Sequence, residues 1–125
     1  MAEHLFMLYS RPRPEWYELA DTEQAVLATS WETIDTASTT AGARLLGTWS
    51  VRGQCDYSLV HVWVFPSVDA VLAYWSALVA AKYPEWFSTS NVLGAPVCDT
   101  TRFSSSPNNA VPTGLGSGVS SRGKR

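Results

Sequence analysis

Along the chain, short runs of β-branched and aromatic residues alternate with longer stretches in which apolar side chains return every three or four positions. HLFMLYS, His4 to Ser10, predicts a first strand, closed by the prolines of RPRP, which cannot extend a ladder. Pro14 opens a short helix, PEWYEL. Asp21 with Gln24 three residues on gives a capping-box pattern for a longer helix, whose buried stripe is Leu27, Trp31 and Ile34. The run DTASTTAG, ending in Gly42 and a residue of low helix propensity at almost every position, predicts where that helix stops. ARLLGTWSV predicts a second strand, RGQCD a hairpin connection, and YSLVHVWVF, Tyr57 to Phe65, a third strand. Ser67 suits the cap of a second long helix, in which Val68, Val71, Leu72, Trp75, Leu78 and Val79 form a broad apolar face ended by Pro84. A weaker last strand is expected between Val92 and Phe103.

This order is β-α-β-β-α-β, the ferredoxin-like α+β arrangement: a four-stranded antiparallel sheet with two helices on one face. The third strand is then central, between the first and the second. Its alternation sends Ser58, Val60, Val62 and Val64 to one side and Tyr57, Leu59, His61, Trp63 and Phe65 to the other. Both sides are largely apolar, and one layer of helices covers only one of them. The chain is therefore expected to form a homodimer, a dimeric α/β barrel, through the Ser58, Val60, Val62 and Val64 face, with His61 under the helices. Residues 1–103 make the domain. Residues 104–125, rich in Ser, Asn, Pro and Gly, read as a disordered tail.

Composition narrows the partner. The 125 residues include six Trp, five Tyr and four Phe, a heavy aromatic load that favours an oily or planar small molecule. A formal charge of −2 leaves no basic stripe for nucleic acid. No apolar run reaches the length of a membrane span, and the N-terminus lacks the basic start of a signal peptide. A cytoplasmic, soluble protein is expected, with Cys55 and Cys98 as buried or idle thiols. Two histidines without companion carboxylates at ligand spacing give no metal set, and without a GxSxG elbow Ser/His/Asp catalysis is unsupported; neither metal nor cofactor is expected.

The candidate chemistry converges on His61. A buried imidazole stays neutral near pH 7 and can accept a proton, and Tyr74, at the edge of the second helix's apolar face, can donate to a developing oxyanion. His4, Phe6 and Leu8 share one face of the first strand and, with Trp31, Leu59 and Trp63, supply the substrate-binding walls. In an unbroken hairpin register that pairs Val51 with Tyr57, Gly47 lies opposite His61 and leaves space for a ligand; a slip of two residues puts it beside Trp63. The plainer reading makes His61 a hydrogen-bonded core residue.

The segment HLFMLYSRPRPEWYELADTEQ, through Pro14, Trp16, Leu19 and Glu23, resembles the darcynin-like and related dimeric α/β-barrel families. DYSLVHVWVFPSVDAVLAYW is similar to the third strand and second helix of the wider superfamily, which holds cofactor-independent monooxygenases, polyketide cyclases such as olivetolic acid cyclase, muconolactone isomerase and haem-dependent members. The cyclase pattern implies pocket positions at His4, Leu59 and Tyr74, but its catalytic histidine falls near Ala80, so that mechanism does not carry over. The resemblance implies a homodimeric catalyst of secondary or catabolic metabolism, acting without cofactor on an aromatic or polyketide-like molecule by proton transfer, cyclisation or oxygenation. The alternatives are a non-enzymatic ligand-binding or structural dimer whose own side chains fill the pocket, and a haem-binding barrel.

Overall fold

The structure, a computed structural model, describes residues 3–97. Strand β1 (His4–Pro12) is followed by a 3₁₀ turn (Pro14–Glu18), helix α1 (Asp21–Thr40), strands β2 (Arg44–Ser50) and β3 (Leu59–Phe65), helix α2 (Val68–Ala80), a single turn α3 (Tyr83–Trp86) and strand β4 (Phe87–Gly94). The four strands form one antiparallel sheet in the order β2-β3-β1-β4, so β3 is central as alternation and hairpin logic require. Helices α1 and α2 cover one face. The core between sheet and helices holds Phe6, Leu8, Trp63 and Phe65 from the strands, and Trp31, Val71, Tyr74 and Leu78 from the helices.

Several local expectations move. Asp21 is the first residue of α1 rather than its cap; Glu23 instead accepts from the Ala20 backbone N–H at 3.0 Å. α1 does end within the Thr/Ser run, at Thr40, with the Thr39 hydroxyl turned back onto the Asp35 carbonyl. Gly42, at φ 113°, then takes the chain out in a conformation other residues avoid. Ser67 does cap α2, accepting from Ala70 N at 3.1 Å. Its buried stripe is narrower than the broad face expected: Val71, Tyr74 and Leu78 are buried, whereas Val68, Leu72 and Val79 face outward. Pro84 does not terminate α2 but sits in the first turn of α3, where its missing N–H costs nothing. β4 starts at Phe87, earlier than its composition indicated, because pairing with β1 from Pro12 to Leu5 overrides weak strand propensity. Cys55 is an exposed thiol on the hairpin loop; Cys98 and the tail lie outside the described residues.

The largest difference is in β2. Arg44 and Leu45 pair with Val64 and Trp63, as an unbroken hairpin requires, but Gly47 then pairs with Val62, leaving Leu46 as an extra residue in a bulge. From there the register is shifted by one. Thr48, not Gly47, lies opposite His61, and Gly47 and Trp49 are carried to the face away from the helices. There the Trp49 indole folds across Gly47, whose missing Cβ would lie 2.8 Å from Trp49 Cη2.

Candidate functional site

A cleft of about 190 Å³ opens between the helices and the central strands. Its floor is Leu8 of β1 with His61 and Trp63 of β3; Leu45 of β2 stands at its edge. One wall is α1, through Ala28, Trp31, Glu32 and Asp35; the other is Tyr74 and Leu78 of α2 with Tyr83. Helical spacing explains the first wall, since Ala28, Trp31, Glu32 and Asp35 lie at offsets of three and four on one side of α1.

Three polar side chains meet here. The Tyr74 hydroxyl donates to Asp35 Oδ1 at 2.7 Å. His61 Nδ1 and Thr48 Oγ1 are 2.9 Å apart. Asp35 and His61 are close enough for each charge to shift the other's titration. Burial pushes the Asp35 carboxyl above its ordinary value, opposed by the Tyr74 hydrogen bond and by His61. For His61, burial lowers the imidazole pKa, and the Asp35 charge offsets this. Tyr74 is driven far up, first by burial and then by the neighbouring carboxylate, so it is a neutral phenol. The imidazole is thus neutral near pH 7, and its Nδ1 is anchored by Thr48, whose hydroxyl can either accept or donate. When Nδ1 donates to the Thr48 oxygen, Nε2 carries a free lone pair; when the hydroxyl donates to Nδ1, Nε2 carries the proton.

Of the residues singled out from sequence, His61, Tyr74, Leu8, Trp31 and Trp63 line this cleft. Phe6 packs behind it, edge-on to Tyr74 with centroids 6.2 Å apart. His4 stands at the far end of β1 opposite Phe65, its Nδ1 buried without a partner among the described residues, and Leu59 borders a different concavity. The Tyr74 hydroxyl hydrogen is committed to Asp35, so the phenol reaches a ligand only if that bond is released. Asp35 and Thr48 escaped the sequence reading. For Asp35 a signal existed, because an acid four residues after Trp31 interrupts the helix stripe that Trp31 defines. For Thr48 there was none, since the bulge decides which residue faces His61.

A second concavity, of about 290 Å³, lies on the other side of Tyr74 between α1 and α2 and is walled largely by alanines. Among the described residues there is no group of three metal-ligating side chains, and no helix is long and apolar enough to cross a membrane.

Fold and cleft together define a ferredoxin-like α+β protein with a small polar site between sheet and helices. Residues 15–95 match the NIPSNAP family, and the chain belongs to it. The darcynin-like members expected from the first strand and turn are not the ones that match. Among solved structures the chain is similar to a mutant chlorite dismutase from Candidatus Nitrospira defluvii, with 10% identity and a TM-score of 0.65 over 78% of this chain and 41% of that one. The chlorite dismutase of the same organism in complex with imidazole gives 11% identity and a TM-score of 0.60, again over 78% and 41%. A protein provisionally assigned as a chlorite dismutase gives 19% identity and a TM-score of 0.62 over 76% and 44%. The chain therefore spans about two-fifths of the length of these proteins, and the likeness is one of fold. No curated protein sequence matches.

Proposed function

We propose that this chain binds a small organic molecule in the His61 cleft and catalyses cofactor-free proton transfer on it. The observation that carries the reading is the juxtaposition of a neutral imidazole, held by Thr48, with a half-buried carboxylate held by Tyr74, on the wall of a cleft. His61 Nε2 takes a proton from an acidic C–H or O–H of the ligand, with Nδ1–H donating to Thr48. Asp35 stabilises the imidazolium so formed, and the proton returns to the product from Nε2. Trp31, Trp63 and Leu8 are the apolar walls. A cavity of roughly 150 Å³ accepts benzene, so about 190 Å³ fits a single ring or a short diketone better than a fused polyketide.

The test is deuterium incorporation from D₂O into a 1,3-diketone, followed by NMR. The wild type should exchange the central C–H faster than buffer, and His61→Ala should not. Equal exchange in both proteins removes His61 from the chemistry. Binding of the same probe without exchange in either protein would favour the non-enzymatic ligand-binding dimer.

Haem is the other reading, favoured by the fold likeness to chlorite dismutase and the haem-dependent members of the superfamily. The cleft offers one imidazole of suitable character, but its volume lies below the roughly 300 Å³ at which drug-sized pockets begin, and no Lys or Arg lines it to meet carboxylates. The residues present do not fit a macrocycle. Haemin titration should show no His61-dependent Soret shift; a shift lost in His61→Ala would reverse this.

The chain is further proposed to dimerise through the sheet face opposite the helices. Supporting this, Leu5, Trp49 and Val92 on that face are 38%, 52% and 51% exposed, and half-buried Val62 and Val64 lie among them. Val60 is already buried within one chain, opposite Trp49, so the contact would rest on these neighbours more than on a smooth valine surface.

A further inference from the structure

We propose that the concavity at the far end of the sheet, beyond the His61 cleft, is a binding site for a small organic carboxylate. It measures about 350 Å³, and its apolar lining comes from Pro12, Tyr17, Leu59 and Phe87. Its polar lining residues are Arg52, Ser50 and Ser58 with the buried Ser10, and no acidic residue is among them. This is a donor set for an anion beside a surface for its carbon skeleton.

Two features set these residues apart from ordinary surface. Ser10 is 2% exposed, the one polar residue buried with the core among the described residues. It lies beside Tyr83, which belongs to the His61 cleft. Arg52 is also unusual among the arginines of the described residues. Arg11 donates to the Asp56 carbonyl at 2.6 Å and lies over the Tyr57 ring, Arg13 donates to Pro84, and Arg44 pairs with Glu3. Arg52 has no side-chain partner among those residues and lines the concavity.

The position follows from strand geometry. Leu8 and His61 floor the first cleft; Ser10 and Leu59, the next residues facing the helices on β1 and β3, floor the second. The two sites are therefore about 7 Å apart along the strands. The carboxylate site stands independently of the catalytic reading, because none of its lining residues takes part in proton transfer.

The experiment is an amide NMR titration of the full chain with benzoate and, in parallel, with benzamide, which has the same shape without the charge. Benzoate should give saturable shifts at Ser50, Arg52, Ser58 and Leu59. Benzamide should bind the wild type about threefold to fivefold more weakly, the upper part of the range of an exposed ion pair. Arg52→Gln, in the exposed hairpin, should abolish that preference; Arg52→Lys should keep part of it, having the charge without the fork. His61→Ala should leave benzoate binding unchanged. Equal binding of the two probes to the wild type, a preference that survives Arg52→Gln, or shifts centred on the His61 cleft would each overturn the proposal.

Discussion

Replacing Tyr74 by Phe removes one hydroxyl and leaves the ring in its aromatic cluster, with centroids 6.2 Å from Phe6, 5.2 Å from Trp63 and 5.3 Å from Phe65. What is lost is the 2.7 Å bond to Asp35. A hydrogen bond to a charged group contributes about 1.5–3 kcal/mol, and a neutral one about 0.5–1.5 kcal/mol. Asp35 is only half-buried, which places this bond at the lower end, about 1.5–2 kcal/mol with the carboxylate ionised. The pH dependence gives the sharper test. Burial already raises the Asp35 carboxyl in the folded chain, and the Tyr74 bond is what holds it down. Without that bond the folded chain keeps its proton over a wider range than the unfolded chain, whose Asp titrates near 3.9. Where the folded state binds more protons, stability falls as pH rises. The variant should therefore lose less at about pH 3.5, where both states hold the proton, than at pH 7. In urea unfolding, with m of about 1–3 kcal/mol/M, the midpoint should drop by roughly 1 M at pH 7 and by about half that at the acid end. A loss that is equal at the two pH values, or larger in acid, would refute the assignment of Asp35 as the ionised acceptor.

Three further outcomes are expected. By proton NMR, His61 should titrate below its ordinary value, and Asp35→Asn should lower it further, because the carboxylate is what offsets burial; the stability this imidazole confers is lost as pH falls from about 6.5 through its folded value. Lys82, at φ 69°, holds the left-handed position after α2, so Lys82→Gly should raise stability by about 0.5–1 kcal/mol in thermal melts. Val62→Lys, on the bare sheet face, should shift sedimentation equilibrium from dimer toward monomer while leaving the circular dichroism spectrum of the fold intact.

The fold was legible because it depends on period. Two-residue alternation in β3 assigns His61, Trp63 and Phe65 to the helix side, and the hairpin after β2 makes β3 central, without any tertiary knowledge. The site was legible only in its apolar part. Trp31, Trp63 and Leu8 announce themselves as core, and a histidine between valines draws notice. Asp35 lies in a Thr/Ser-rich run that reads as a failing helix, yet α1 continues to Thr40 and carries the carboxylate to Tyr74. The buried side of α2 was displaced in the same way, because the apolar residues outnumber the positions the sheet can cover, and packing rather than hydrophobicity selects Val71, Tyr74 and Leu78.

The extra residue at Leu46 gives β2 a choice of reading frame. In the observed frame Thr48 serves His61 and Trp49 lies outside. In the unbulged frame Gly47 would stand beside His61 and Trp49 beside Leu59, on the helix side, where its indole would crowd the Arg52 concavity. The same residues thus encode two linings, separated by one step of the ladder rather than by any substitution. Deleting Leu46 would keep every downstream pairing while removing the alternative, so the bulge is where insertions and deletions, more than point changes, would remodel what this sheet can hold.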